Sequence, residues 1–553
     1  MEKVWLKSYP QGIPEEISPI SKQRTLINLL EEGDEQYGNA TAYRNLGTCL
    51  SYRQVRKLSV AFAAFLQQEL GLRKGEKVAL MMPNLLQYPV VMFGILRAGL
   101  VVVNVNPLYT PRELIDELND AGVKTIVVLA NFAHTVEKAL SQTQLKNIIV
   151  TEIGDLMRGL KAPIVNFVVK YIKKKVPEYS LPQGISFCHA ICKGKRLALQ
   201  KIDLSGRDLA FLQYTGGTTG KAKGAELSHY NILSNIDQCL AWLNSALQQN
   251  GDVVITALPL YHIFSLTVCC FVFYKIGGVS ELITNPRDMD GFIKILKKTK
   301  FNVMVGVNTL FNELLNHSDF AFLDFSNLRL TIQGGMAAQK TTAERWCDVT
   351  GLPIIQGYGL TEASPVVTVN PLQGSEFNGS IGLPIPSTEI AILDSAGHEL
   401  SIGEEGELCV KGPQVMQGYW QQPEETAHVF TKDGWLKTGD IAKIDEKGYV
   451  YLVDRKKDMI LVSGFNVYPN EVEEVIASHR GVLEVGVVGL PSETSGEIVA
   501  AFIVKKDKNL TEEDIVRYCK QQLTPYKVPK LIEFRSELPK TPVGKILRRK
   551  LKK

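Results

Sequence analysis

Short apolar runs that stop at polar or turn residues, separated by stretches with helical spacing, recur through most of this 553-residue chain. Residues 78–82, 99–105 and 125–130 are such runs, and 58–70 is one of the helix-spaced stretches. The rhythm continues at 209–214, 253–258, 303–307 and 328–333. It is the pattern of βαβ units laid into largely parallel sheets, which collect ligands at the carboxyl ends of their strands. The length exceeds what one hydrophobic core supports, so two or more domains are expected.

From about residue 389 the texture changes to shorter alternating segments with turn signals, as in 406–412 and 448–453, which reads as a small antiparallel β subdomain. Beyond Asp454-Arg-Lys-Lys-Asp458 the pattern gives a helix near 471–478, strands near 482–489 and 498–505, and a helix near 511–523. That tail has the make-up of an α+β module of its own.

Charge balance narrows the function classes. Sixty-two basic against 58 acidic residues leave a net charge of +4, which excludes a dedicated nucleic-acid binder. Nine scattered cysteines, an odd number without repeated spacing, fit a reducing cytoplasm. Cys188, His189 and Cys192 lack a nearby fourth ligand for zinc and read as structural or incidental. Residues 1–16 hold no apolar run of signal-peptide length, so export is not expected. The apolar windows 88–105, broken by Arg97, and 264–274 are shorter than a spanning helix requires and read as buried core.

Residues 163–177, bounded by Pro163 and Pro177, are different in kind. At about 100° per residue, Ile164, Val165, Phe167, Val168, Tyr171 and Ile172 share one arc. Lys170 and Lys173 face away, Lys174 sits at the edge and Lys175 intrudes. Two readings stand: a peripheral contact with an anionic membrane, or a surface helix packed on the core with a solvated basic face, the more frequent use of such a pattern.

The strongest local signal is Tyr214-Thr-Gly-Gly-Thr-Thr-Gly-Lys-Ala-Lys-Gly224, directly after an apolar run and ahead of a helix expected from Asn231. Glycines let backbone N–H groups approach an anion, threonine hydroxyls add donors, and Lys221 or Lys223 supplies charge. The spacing fits neither the P-loop nor the dinucleotide fingerprint.

With this loop, and in order after it, come Pro259-Leu-Tyr-His-Ile-Phe264, Gln356-Gly-Tyr-Gly-Leu-Thr-Glu362, Gly434-Trp-Leu-Lys-Thr-Gly-Asp440, Asp454-Arg455, Val462-Ser-Gly-Phe-Asn-Val-Tyr-Pro469 and Pro542-Val-Gly-Lys545. In these the chain resembles the adenylate-forming superfamily of acyl-CoA synthetases, luciferases and adenylation domains. The stretches 81–89 and 104–114 are most similar to bacterial long-chain fatty-acid–CoA ligases. The resemblance implies an α/β fold: a large N-terminal domain (1–454) of two α/β subdomains plus a small β-barrel-like subdomain, a hinge (455–457), and a mobile α+β C-terminal domain (458–553).

It also implies residue roles. Thr215, Gly216, Thr218, Thr219 and Lys223 would hold the β- and γ-phosphates of ATP. Glu362 would reach Mg2+, and Thr361 would bond the α-phosphate. Tyr358 and the backbone around Gly335 and Gln356 would frame adenine, while Asp440 and Arg455 would take the ribose. Lys545 would stabilise the charge that collects between the attacking carboxylate and the α-phosphate; His262 and Phe264 would wall the acyl pocket. Lys457 would be the hinge, and Val462, Ser463, Gly464 and Phe465 would line the channel for coenzyme A. Gln356 departs from the family, which often has Glu there.

The activity implied is ligation of a long-chain fatty acid to coenzyme A through an acyl-adenylate, with ATP, Mg2+ and CoA as the small molecules required. The location implied is the cytoplasm or the cytoplasmic face of a membrane, with a homodimer as a compatible association state. Delivery to a carrier protein by a fatty acyl-AMP ligase, a CoA ligase for medium-chain or aryl acids, and a non-catalytic nucleotide sensor are the rival readings.

Overall fold

The computed structural model describes residues 3–215, 222–336, 338–373, 377–455, 457–462, 465–492, 495–541 and 544–552. Among these residues the strands form four sheets. The first has seven strands, in the order Gly184–Ser186, Asn147–Thr151, Thr125–Leu129, Lys77–Met81, Val101–Asn104, Leu209–Thr215 and Lys223–Ser228. Every pair is parallel except the last. The second has nine, and its centre, Val279–Leu282, Val253–Thr256, Val303–Gly306, Leu330–Gln333 and Ile354–Gly359, is parallel throughout.

The expected strands are therefore present, and they are buried along their length, as in the fully buried Val101–Asn104, Val303–Gly306 and Leu330–Gln333. That is why they read as continuous apolar runs rather than alternating ones. Helices cover the faces. Tyr52–Gln68 starts at Ser51, whose hydroxyl accepts from the Gln54 amide while the Gln54 side chain accepts from the Ser51 amide. This reciprocal cap satisfies two otherwise unpaired donors. Gln87–Arg97 is buried at every position, and Arg97 pairs there with Glu31 and the Ser59 hydroxyl. The apolar window 88–105 is thus core.

The change of texture near 389 marks a four-stranded antiparallel sheet, Glu389–Leu393, Gly406–Lys411, Leu436–Ile444 and Val450–Arg455. The fourth sheet contains Ile460–Val462, Phe465–Val467, Val482–Ser492, Gly496–Lys505 and Leu531–Arg535, with helices Pro469–Ala477 and Glu512–Gln522. Its core, from Ile460 to Ile532, is a cluster separate from that of the large sheets.

The helix expected from Asn231 is present as His229–Leu243, and between it and the glycine-rich loop Lys223–Ser228 pairs antiparallel with Leu209–Thr215, a hairpin not among the expected elements. Six residues with glycine and alanine at their centre carry too weak a strand signal to show this in sequence. The amphipathic segment does not pack its apolar arc on the core. Neither helix Lys161–Phe167 nor the wider turn Val168–Ile172 has a buried residue, and Ile164, Phe167, Tyr171 and Ile172 are 56–65% exposed.

Candidate functional site

The carboxyl ends of the two parallel sheets, the four-stranded sheet and the C-terminal tail enclose a cavity of about 1920 Å³. Thr215, Lys223, His262, Phe264, Gly335, Gln356, Tyr358, Thr361, Glu362, Asp440, Arg455, Lys457 and Lys545 all line it. These residues are scattered over 330 positions, and strand ends bring them together. Thr215 closes its strand, Gly335 follows Leu330–Gln333, and Gln356 and Tyr358 lie on Ile354–Gly359. Gly216, Thr218 and Thr219 lie outside the described residues.

Asp440 and Arg455 are register partners on neighbouring antiparallel strands, which sets them side by side. The Arg455 Nε is 3.3 Å from Asp440 Oδ1, and the Tyr358 hydroxyl donates to Asp440 Oδ2 at 2.7 Å. Burial, and then the Asp440 carboxylate, push the Tyr358 phenol well above its ordinary range, so it stays a neutral donor. Asp440 itself is buried. A buried acceptor-only carboxylate with two donors already fixed is pre-oriented to take hydroxyl protons from a ligand.

Thr215 stands opposite Lys223 across the hairpin. Lys223 is ion-paired with Glu425 and sits 5.3 Å over the ring of Tyr419. The Tyr419 hydroxyl donates to Glu362 Oε1 at 2.7 Å, and the Met416 amide donates to the Glu362 carbonyl at 2.7 Å. Tyr419 and Glu425 were not readable as site residues from the sequence. Each is an ordinary residue of a loop or short helix until the fold turns it toward Glu362 and Lys223.

The tail delivers Lys545 through a turn in which its amide donates to Thr541 Oγ1 at 3.0 Å. The turn docks on the large domain where Thr309 Oγ1 donates to the Gly544 carbonyl at 3.2 Å. Gly544 has φ +84°, and a Cβ there would lie 2.6 Å from Thr309 Oγ1, so only glycine fits. Burial, and then the neighbouring Arg455 charge, bring the Lys545 ammonium down to about 7, with Asp440 opposing. His262 is pushed down to about 4, by burial first and then by Lys545. It is neutral at pH 7, and because its Nδ1 accepts from the Phe264 amide at 3.3 Å, its proton is assigned to Nε2. His262 therefore lines the cavity within electrostatic reach of Lys545.

The same cavity has apolar lining from Trp242 and Leu243 of helix His229–Leu243 and from Val268, Ile332, Val366 and Ile381. Sequence periodicity did not single them out, because a side chain facing a cavity has the same spacing as one facing the core. The Phe264 ring packs against Gly334. Two expected residues are elsewhere. Val462 and Phe465 do not line the cavity; Phe465 is 56% exposed and its ring stacks on Tyr526 at 4.8 Å. Ser463 and Gly464 lie outside the described residues.

A family model described as AMP-binding enzyme matches residues 30–420, and one described as AMP-binding enzyme C-terminal domain matches residues 471–545. The long-chain-fatty-acid–CoA ligases of Yersinia pestis and of Escherichia coli O157:H7 are each 56% identical over 552 residues, covering 100% of this chain and 98% of theirs. Among solved structures, an anthranilate CoA ligase, AuaEII, in complex with anthranoyl-AMP superposes with a TM-score of 0.84 at 25% identity. The match covers 96% of this chain and 97% of that one.

The docking geometry makes a direct prediction. Gly544→Ala should free the tail turn, raising hydrogen exchange at the amides of residues 544, 545 and 547 roughly tenfold while the Val482–Ser492 and Gly496–Lys505 pair stays protected. Unchanged protection at those three amides would show that the turn does not depend on this contact.

Proposed function

The chain belongs to the AMP-binding enzyme family, and on that premise we propose that it joins a long-chain fatty acid to coenzyme A at the expense of ATP, by way of an acyl-adenylate. One observation carries the reading: a buried lysine, Lys545, lies near the Asp440–Arg455 ion pair and a neutral histidine in a cavity whose lining is polar in part and apolar in part. A polar nucleotide and an apolar acyl chain together suit such a lining.

In the first step a carboxylate oxygen attacks the α-phosphorus, and the bond to the β-phosphate oxygen breaks to release pyrophosphate. Asp440 and Arg455 hold the ribose, Tyr358 and the backbone at Gly335 and Gln356 frame the base, and Thr361 donates to the α-phosphate. Thr215 and Lys223 hold the outer phosphates, which requires Lys223 to exchange Glu425 for the nucleotide. Lys545 stabilises the charge that gathers between the two reacting anions. The Glu362 carboxylate, oriented by Tyr419, is a hard oxygen ligand of the kind Mg2+ takes and would hold that ion. When bound, that ion neutralises charge on the phosphates.

In the second step the thiol of CoA attacks the acyl carbon and AMP leaves. Lys545 lines the cavity and Val462 and Phe465 do not, which supports reading this arrangement as the one for adenylation. Rotation about Lys457, between units 1–454 and 458–553, exchanges the two; the separate hydrophobic core from Ile460 to Ile532 supports that division.

The exposed segment 163–177 is the surface that meets the source of the fatty acid. Ile164, Phe167, Tyr171 and Ile172 lie open beside Lys170 and Lys173 to Lys175, an apolar and cationic combination suited to an anionic bilayer on the cytoplasmic side.

Lys545→Ala should lower acyl-adenylate formation by about 10²–10³ while leaving thioester formation from supplied acyl-adenylate near the parent rate, both followed by single-turnover quench. Equal loss in the two half-reactions would overturn the assignment. At pH 8 the free lysine, near 7, is mostly neutral, and a neighbouring triphosphate favours its charged form. ATP binding should accordingly take up about one proton, read by calorimetry in buffers of different ionisation heat, and Lys545→Met should abolish the uptake. In sedimentation with phosphatidylglycerol vesicles, Phe167→Asp with Ile172→Asp should abolish binding without changing turnover of a soluble acyl substrate; retained binding would remove the segment from the membrane contact.

A further inference from the structure

Arg548 belongs to none of the motifs that define the nucleotide site, yet its guanidinium is the most heavily engaged group in the C-terminal tail. Its side chain is 15% exposed. Nε and Nη2 donate to the two oxygens of Glu473 at 2.9 and 2.6 Å, a bidentate fork, and Nη2 also reaches the Asn470 side-chain oxygen. Nη1 is shared between Asp454 Oδ1 at 3.2 Å and Asp458 Oδ2 at 3.4 Å.

The partners divide by position. Asn470 and Glu473 lie on helix Pro469–Ala477, in the same unit as Arg548. Asp454 lies on the other side of Lys457, on strand Val450–Arg455, whose register neighbour Leu436–Ile444 carries Asp440. The Asp454 side chain is fully enclosed. Its Oδ2 accepts from the Asn470 amide at 2.8 Å and its Oδ1 from the Arg455 amide at 2.6 Å. Burial raises the carboxyls of both Asp454 and Glu473, and Arg548 opposes the rise in each case. Three carboxylates from two units thus converge on one cation, three residues from Lys545.

We propose that Arg548 is a positioning residue for adenylation: by bridging Glu473 to Asp454 it latches the tail across the hinge and sets Lys545 in the cavity, and the Asp454 half of the latch opens for the thioester step. Rotation about Lys457 keeps the Arg548–Glu473 fork, since both ends travel together. It breaks the bonds from Arg548 and from the Asn470 amide to Asp454. Lys545 is then held at both sides while the latch is closed, by Gly544 on Thr309 before it and by Arg548 after it. Losing one of two supports displaces the ammonium without removing it, and misplacement by about 1 Å costs on the order of 10²-fold. The inference rests on Lys545 being the adenylation cation.

The test is to separate the half-reactions in Arg548→Gln, Arg548→Lys, Asp454→Asn and Lys545→Ala in the full-length chain. Arg548→Gln should slow acyl-adenylate formation by about a hundredfold through kcat, with KM for ATP little changed, and leave thioester formation from supplied acyl-adenylate intact. Arg548→Lys, which keeps the charge and loses the fork, should recover part of that loss. Asp454→Asn, which removes the cross-hinge ion pair together with one of the two amide bonds that Asp454 accepts, should show the same selective direction. A variant that damages both half-reactions equally, or neither, overturns the latch. If Arg548→Gln does not accumulate as folded protein, Arg548→Lys and Asp454→Asn decide by the same criterion. If instead Lys545→Ala damages both half-reactions equally, it is the reading of Lys545 that fails.

Discussion

A mostly parallel sheet cannot leave either face in water, because its crossover helices cover both, and this constraint organises the whole molecule. With the faces closed, polar chemistry is confined to strand ends. Two such sheets, of seven and nine strands, turn their carboxyl ends toward one cavity. Thr215, Gly335, Gln356 and Tyr358 occupy those ends or the turns just beyond them, and Lys223 stands opposite Thr215 across the hairpin. The antiparallel sheet then adds what parallel strands cannot, a register pair that fixes Asp440 beside Arg455.

Charge inside this cavity is kept close to balance by short local partnerships. Asp440 has Tyr358 and Arg455, Glu362 has Tyr419, Lys223 has Glu425, and Arg548 has Glu473 and Asp454. At Lys545, burial and the nearby Arg455 outweigh Asp440, so its ammonium is destabilised. A cation left under-neutralised in a desolvated site interacts strongly with the charge that develops there, which is the condition for electrostatic catalysis.

The C-terminal unit meets the large domain through polar contacts: Thr309 with Gly544, Glu313 with Lys540, and Asp454 with Arg548. Its own core is separate. Such an interface holds a geometry without the cost of separating two buried apolar surfaces.

Much of this was legible in the chain itself. The parallel strands declared themselves as continuous apolar runs because burial on both faces leaves no alternation to hide them, and the ordered motifs named Thr215, Lys223, His262, Tyr358, Glu362, Asp440, Arg455 and Lys545 among the residues that line the cavity. What sequence could not show was direction. Periodicity does not distinguish Trp242 facing a cavity from a core tryptophan, nor reveal that Tyr419 turns toward Glu362. It ranked the packed helix above the exposed one for residues 163–177, where the apolar arc in fact faces solvent. It ended the last motif at Lys545 and passed over Arg548. The sequence by itself thus determined the layers, the order of the elements and the family motifs, which follow from local spacing and side-chain chemistry. The tertiary structure alone decided which of them meet, because a contact between residues 454 and 548, or 309 and 544, depends on how distant elements pack.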